Sequence, residues 1–189
     1  GDRGAVDCAL PGPGRHYSIQ SGTSFAAPMV AGLAALLMEA HEEMKLRPTA
    51  MKAVLMASAY HNVAGFPVTR AGVDPDGVDG AGVPRADRAL AVLDEEAWVD
   101  RLVTASDFGA DGFLTDAPTL PASYGDIVRV ALVWESCAAE PDGLTKASLT
   151  ADFDLILEGA FGTGVTEAKT LKISASTFDN RELLHTLVT

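Results

Sequence analysis

The chain of 189 residues is acidic: 26 Asp and Glu residues against 14 Lys and Arg residues give a formal net charge of −12. This balance argues against nucleic acid as a partner, because binding phosphates requires a basic surface. Two cysteines are too few for a disulfide framework or a zinc knuckle. Whether Cys8 and Cys137 form one bridge or remain two buried thiols stays open.

The N-terminal residues lack the pattern of a secretory leader. The chain begins with Gly1 and no Met, and no basic segment precedes an apolar run, so we expect a processed product or a piece of a longer protein. One apolar stretch, residues 25–38, carries no charge. It is shorter than the roughly 20 residues that cross a bilayer. We therefore expect a core helix and no membrane partner.

The chain changes character near residue 95. Before it, helical patterns cover residues 25–43, 48–59 and 83–95, joined by loops rich in Gly and Pro. After it, short β segments are separated by turns: WVDRLVTA, DIVRVALVW, ADFDLILEG, TLKISASTF and ELLHTLVT. Strands without intervening helices are typical of a sandwich or jelly roll. We expect two domains, residues 1–95 and 96–189.

The segment ADFDLILE shows the clearest strand pattern. Phe153, Leu155 and Leu157 alternate with the acidic residues and Ile156, which predicts a half-buried strand. The two tryptophans, Trp98 and Trp134, are predicted to be core aromatics, with carbohydrate stacking as the alternative.

The segment SGTSFAAPMVAG, residues 21–32, places a serine at the head of an apolar helix. Thr23 is the predicted N-cap, which puts Ser24 in the first turn. Backbone N–H groups there have no partner within the helix and lie at the positive end of its dipole, so they can stabilise an oxyanion. Pro28 cannot donate a hydrogen bond to the carbonyl of Ser24, and Gly22 permits a tight approach. An ordinary capped core helix shares several of these features.

The helix itself is apolar on every face. From residue 25 to residue 37 it has no polar side, which predicts burial on nearly all sides. Its many small residues would let neighbouring backbones approach closely.

SGTSFAAPMVAG resembles the nucleophile motif of the subtilisin-like serine peptidases, G-T-S-x-A-A-P-x-V-A-G, and matches every fixed position. LRPTAMKAVLMASA resembles the helix that follows in that family, DGAGVPRADRAL its closing segment, and CALPG its A-P-G strand end. Arg47 departs from the usual Ser or Thr cap before Pro48, which would weaken that cap by about 1 kcal/mol. The resemblance covers residues 8 to about 92. It implies part of a doubly wound parallel α/β sheet and a secreted protein.

By this resemblance Ser24 is the acylating nucleophile, and its own backbone N–H forms half of an oxyanion hole. Such a serine needs a histidine to take its proton, a carboxylate to orient that histidine, and an asparagine amide as the second oxyanion donor. The family order places all three well before the serine, and Asn62 and Asn180 both follow it here. None of the four histidines has the family's context: His16, His41, His61 and His185.

The missing partners lead to two expectations. The 189 residues alone should be inactive, because loss of triad residues lowers kcat of a serine peptidase by about 10⁴- to 10⁶-fold. Apolar surface should also be exposed and should be covered by the N-terminal half of a catalytic domain or by another subunit. The alternative is a non-catalytic binding or structural module with a vestigial peptidase segment.

The β-rich remainder has a looser resemblance. VALVWES, DFDLILEG and STFDNREL resemble the jelly-roll or P-domain-like module that follows the catalytic domain in some subtilisin-like peptidases, where it stabilises that domain or shapes substrate access. An unrelated sandwich of similar composition is the alternative.

Carboxylates offer weak calcium candidates, and no cofactor is otherwise expected. The loop DPDGVDG supplies Asp74, Asp76 and Asp79, hard oxygen ligands whose spacing does not follow an EF-hand. A solvated acidic loop is the alternative there. The β region adds three similar candidates: Asp152, Asp154 and Asp179.

Overall fold

A computed structural model describes residues 6–9, 16–19, 22–60, 80–135, 151–159, 169–175 and 180–188. The first two ranges form strands β1, Val6–Ala9, and β2, His16–Ile19, paired antiparallel with Cys8 opposite Tyr17. The predictions for His61, Asn62, Cys137, the loop at 74–79 and Asp179 lie outside the described residues.

Three helices follow at the places that the sequence predicts. Helix α1 spans Thr23–Ala40, α2 spans Pro48–Ser58 and α3 spans Ala86–Asp94, and a 3₁₀ turn at Glu42–Leu46 joins the first two. Pro48 occupies the start of α2, where its missing N–H costs nothing. Arg47 makes no side-chain cap there, as its identity predicted.

The helices share one apolar core. Its buried members come from all three helices and the 3₁₀ turn: Leu37, Met44, Ala50, Met51, Val54, Ala89 and Leu93. Helix α1 contributes only its C-terminal half, where Leu33, Ala34 and Met38 pack beside Leu37. The core therefore holds α1 at one end.

The second half of the chain forms two antiparallel strand pairs. Strand β3, Ile127–Val133, pairs with β6, Arg181–Leu187, and β4, Leu155–Gly159, pairs with β5, Lys169–Ser174. Leu183 and Leu184, neighbours on β6 whose side chains point to opposite faces, are both buried, and so is Val188 after the strand. Among the described residues every strand pairing is antiparallel. The doubly wound sheet and the jelly roll stay predictions.

The two halves of the chain touch through helix α2 and strand β3. Arg129, on β3, donates from Nε to the carbonyl of Met56 at 3.2 Å and from its terminal nitrogen to the carbonyl of Ala81. Met56 lies in the last turn of α2, where carbonyls lack helical partners. A half-buried cation thus joins the β region to the helical region. A domain boundary near residue 96 remains a prediction.

One predicted strand is absent. Residues 98–104, most of WVDRLVTA, form no ladder, and a 3₁₀ turn, Ala105–Asp107, follows them. Their contacts run elsewhere: the Trp98 ring packs against the helical core, and Asp100 accepts from Arg47 at 2.7 Å. Branched residues favour a strand only where a neighbouring strand exists to pair with. The strand prediction was wrong here.

The strand pattern of ADFDLILE is confirmed only in its C-terminal part. Strand β4 begins at Leu155, and Ile156 is half-buried like its neighbours, so the predicted alternation is not observed. Phe153 precedes the strand and contacts two rings, Phe108 at 5.9 Å and Trp134 at 5.5 Å between centroids. Trp134 is buried and donates to the carbonyl of Ala151, as expected of a core aromatic.

Candidate functional site

The predicted site begins with the entry into helix α1. Gly22, not Thr23, is the N-cap, and no side chain caps the helix. Gly22 adopts φ 155° and ψ 157°, a region that essentially only glycine occupies. A Cβ there would meet nothing closer than 3.9 Å, from Phe25. Glycine is therefore required at this position for its backbone conformation, and not because space is lacking. The prediction that Thr23 caps the helix was wrong.

Ser24 lies in the first turn of α1, as predicted, and is exposed. The carbonyl of Gly22 accepts from the N–H groups of Phe25 at 3.0 Å and Ala26 at 3.3 Å. The N–H groups of Thr23 and Ser24 precede these two and have no backbone acceptor among the described residues. They lie at the positive end of the helix dipole, where an anionic oxygen is stabilised.

Pro28 lies inside α1, one turn after Ser24. Because proline has no N–H, the carbonyl of Ser24 cannot receive the usual bond from residue 28. The helix nevertheless continues to Ala40. The local features expected of SGTSFAAPMVAG are therefore present, apart from the identity of the cap.

The surroundings of the helix differ from the sequence prediction. Only Leu37 of α1 is buried, whereas burial on nearly all sides was expected. One row of residues, Phe25, Met29, Gly32 and Leu36, follows the i, i+4, i+7, i+11 spacing of a single helix face. Phe25 is 51% exposed, Met29 74% and Leu36 63%. We call this row the apolar stripe. It lies opposite the residues that pack on the core, and it agrees with the expected exposure of apolar surface.

Helix α1 also meets the length and composition criteria for a membrane span. Its 18 residues have a mean hydropathy of 1.4, and 6% of them are buried. Core helices of soluble proteins meet the same criteria, so these values alone do not distinguish the two kinds of helix.

The structure does not bring a base to Ser24 within the described residues. His41 ends α1, about 25 Å from Ser24 along the helix axis. Its ring contacts Glu43 and Asp94, as a structural histidine would. His185 lies on β6 opposite Arg129, and Asn180 donates to the carbonyl of Trp134. No hydrogen bond joins any of these side chains to the Ser24 hydroxyl.

The metal candidates gain no support from the described residues. Asp152 and Asp154 are both exposed, and the described ranges contain no group of three His, Cys, Asp or Glu side chains placed to hold a metal ion.

Comparison with known proteins gives one match. The model of the subtilase family, Peptidase_S8, matches residues 6–95. This chain carries a subtilase segment. The match includes all three helices and the hairpin β1–β2, and it ends where the helical half of the chain ends. The comparisons with curated proteins and with solved structures gave no match.

The subtilase match spans all of helix α1, including its apolar sequence. What the sequence did not reveal is the apolar stripe as a distinct face. The i, i+4, i+7, i+11 spacing was present, but the apolar residues on the other faces concealed it.

Proposed function

We propose that the chain is the nucleophile-bearing part of a subtilisin-like serine endopeptidase, with Ser24 as the residue that is acylated. The observation that carries this proposal is Ser24 at the exposed N-terminus of α1, within a segment that matches the subtilase family. The N–H groups of Thr23 and Ser24, which have no backbone acceptor among the described residues, would supply one side of an oxyanion hole.

In the proposed reaction the Ser24 hydroxyl attacks the carbonyl carbon of a peptide bond. The proton passes to a histidine and then to the leaving amine, and water later hydrolyses the acyl-enzyme. The histidine, its orienting carboxylate and the second oxyanion donor would come from polypeptide outside the described residues. We propose that the 189 residues have no peptidase activity without them.

The same proposal assigns a role to the apolar stripe. We propose that it is covered by the polypeptide that supplies the histidine and the carboxylate, either the N-terminal half of a catalytic domain or another subunit. Three large apolar side chains, each at least half exposed, are unusual on one face of a soluble helix. A partner that covers the stripe would lie beside Ser24, because Phe25 is the next residue.

A non-catalytic module is the second candidate. It is favoured by one observation: neither His41 nor His185, the two histidines whose side chains the structure describes, forms a hydrogen bond with Ser24. In that case the segment would serve as a folding element, and the serine would have no special reactivity.

Active-site labelling distinguishes these candidates. The chain is treated with a fluorophosphonate, alone and together with a separately expressed subtilase segment that carries the Asp, His and Asn of the family, and the adduct is mapped by mass spectrometry. We expect an adduct on Ser24 only in the mixture, none with Ser24→Ala, and unchanged labelling with Ser123→Ala. Ser123 is an exposed serine far along the chain, so it serves as the matched control.

Absence of the adduct from the mixture, under conditions where an intact subtilase is labelled, favours the non-catalytic module. Equal labelling of Ser24 with and without the added segment would show that a base lies within the 189 residues, contrary to the proposal.

A further inference from the structure

Met29 lies in the middle of the apolar stripe, one turn after Phe25 and one turn before Gly32. It is 74% exposed, the largest exposed fraction among the three bulky side chains of the stripe. A Cβ built on Gly32 would meet no side chain or neighbouring element of the described residues within 4 Å, so this face of the helix is open beside Met29. The thioether of Met29 is therefore within reach of small solutes.

The other four methionines of the chain are shielded by the helical region. Met44 is 0% exposed, Met51 4% and Met56 8%, and Met38 packs against the core from the same helix as Met29. The susceptibility of a sulfur to oxidation follows its exposure. A buried sulfur reacts only when the structure around it opens, which is rare in a packed core. Met29 is thus the freely accessible thioether among the five.

We propose that Met29 is an oxidation site, and that its sulfoxide makes the apolar stripe unsuitable for an apolar partner. A lone pair on the sulfur attacks one oxygen of hydrogen peroxide, and the S–O bond forms as the O–O bond breaks. The sulfur loses two electrons and keeps one oxygen, while the other oxygen leaves as water. A methionine sulfoxide reductase would restore the thioether.

The sulfoxide changes the centre of the stripe from apolar to polar. Its oxygen accepts hydrogen bonds, and an apolar surface laid over it would leave that oxygen without a donor. Phe25 and Leu36 lie on either side along the same face, so a surface that contacts both also covers Met29. In the isolated chain water solvates the sulfoxide, because the residue is exposed. The modification should therefore affect association and not the fold.

The oxidation site does not rest on the proposed peptidase function, because it follows from exposure within the 189-residue chain. Its consequence for assembly does rest on that function. If a complementing subtilase segment covers the stripe, oxidation before assembly opposes the complex, and assembly in turn protects Met29 from the oxidant.

Peptide mapping by mass spectrometry, after brief treatment with dilute hydrogen peroxide, tests the site. Oxygen addition is followed over time at each methionine. We expect Met29 to be oxidised at least about tenfold faster than Met44, Met51 and Met56, because oxidation follows exposure. Urea unfolding of the oxidised chain should match that of the untreated chain. Equal rates at Met29 and the buried methionines would overturn the site.

Retention on a phenyl matrix tests the effect on the stripe. The oxidised chain should be retained more weakly than the untreated chain. Met29→Leu keeps an apolar side chain without the sulfur, so peroxide should leave its retention unchanged, and Met29→Gln should reproduce the weaker retention without peroxide. Met38→Leu, the matched control on the same helix, should respond to peroxide as the unmodified chain does. If peroxide weakens the retention of Met29→Leu as much as that of the unmodified chain, the proposal fails.

The complementing subtilase segment of the labelling experiment separates this inference from the proposed function. We expect the oxidised chain to bind it about five- to a hundredfold more weakly than the untreated chain, the effect of burying an unsatisfied polar group. Equal binding by the two forms would overturn the effect of the sulfoxide. If the untreated chain does not bind, the proposed covering of the stripe fails, while peptide mapping and retention still decide on Met29.

Discussion

At the scale of single residues, the sequence predicted the position of Ser24 in the first turn of α1, but it did not predict which residue is the N-cap of that helix. The motif fixed where the helix begins to within a residue, because a small or hydroxyl residue before an apolar run is a helix start signal. Gly22 and Thr23 are both acceptable N-caps by residue type. The choice between them depends on backbone angles, and with Gly22 at φ 155° the helix begins at Thr23.

The carboxyl group of Asp87 has a lowered pKa because of contacts that it makes in the folded chain. Arg85 donates from Nε to its Oδ1 at 2.8 Å, and this side-chain hydrogen bond is the main reason that the pKa of Asp87 is lowered to about 2. Asp87 also lies in the first turn of α3, where the positive end of the helix dipole stabilises a negative charge.

Acid unfolding should reveal the role of Asp87. A carboxyl with a lowered pKa stabilises the fold above its unfolded value, about 3.9, and loses that contribution as pH falls towards 2. We expect Asp87→Asn to lower stability at pH 5 and to flatten the loss of stability between pH 4 and pH 2, measured by urea unfolding at each pH. Asp152→Asn, at an exposed carboxylate, should leave the profile unchanged. Identical profiles for the two variants would contradict this role.

At the scale of elements, the helices followed from the sequence because their signals are local. Proline at the start of α2 and apolar periodicity mark their bounds without knowledge of neighbours. The segment 98–104 carries similar local evidence for a strand, yet forms none. A strand needs a partner whose position the local sequence does not reveal. The sequence of α1 likewise does not show which of its apolar faces the rest of the chain covers; in the structure only Leu37 is buried.

Two adjacent leucines of α1 test how that helix is held. Leu37 is 3% exposed in the core, and Leu36 is 63% exposed on the apolar stripe. Leu37→Ala should lower the free energy of unfolding by about 2–5 kcal/mol, since it leaves a cavity. Leu36→Ala should change it by less than about 0.5 kcal/mol. Urea unfolding of both variants measures the difference.

If another polypeptide covers the apolar stripe, the exposed Leu36 matters for association although it contributes little to the stability of the isolated chain. Leu36→Ala should weaken the association of the chain with a complementing subtilase segment, although it leaves the isolated chain stable. If Leu36→Ala associates as tightly as the unmodified chain, the stripe is not the covered surface.

At the scale of the whole molecule, the contact between the two halves could not be read from the sequence. Arg129 in DIVRVALVW looks like a solvent-facing residue of a half-buried strand. In the structure it reaches the carbonyls of Met56 and Ala81. Such a contact spans 73 residues of chain and leaves no periodic signal in either segment.

Replacing Arg129 should loosen the attachment of β3 to α2. Arg129→Met removes charge-assisted hydrogen bonds and leaves two carbonyls without them, so we expect a loss of about 1.5–3 kcal/mol in the free energy of unfolding. Arg88→Met, at an exposed arginine of α3, is the matched control and should cost less than about 0.5 kcal/mol. Equal losses for both variants would show that Arg129 does not join the two halves.

The central claim is that Ser24 is a subtilase nucleophile whose proton acceptor lies on other polypeptide. Cleavage of a chromogenic peptide by the chain mixed with the complementing subtilase segment tests it most directly, with the segment alone as background. We expect cleavage from the mixture, none above background from the chain alone, complete loss with Ser24→Ala and no loss with Ser123→Ala. Cleavage that persists with Ser24→Ala, or a mixture that stays at background while the two polypeptides associate, would contradict the claim.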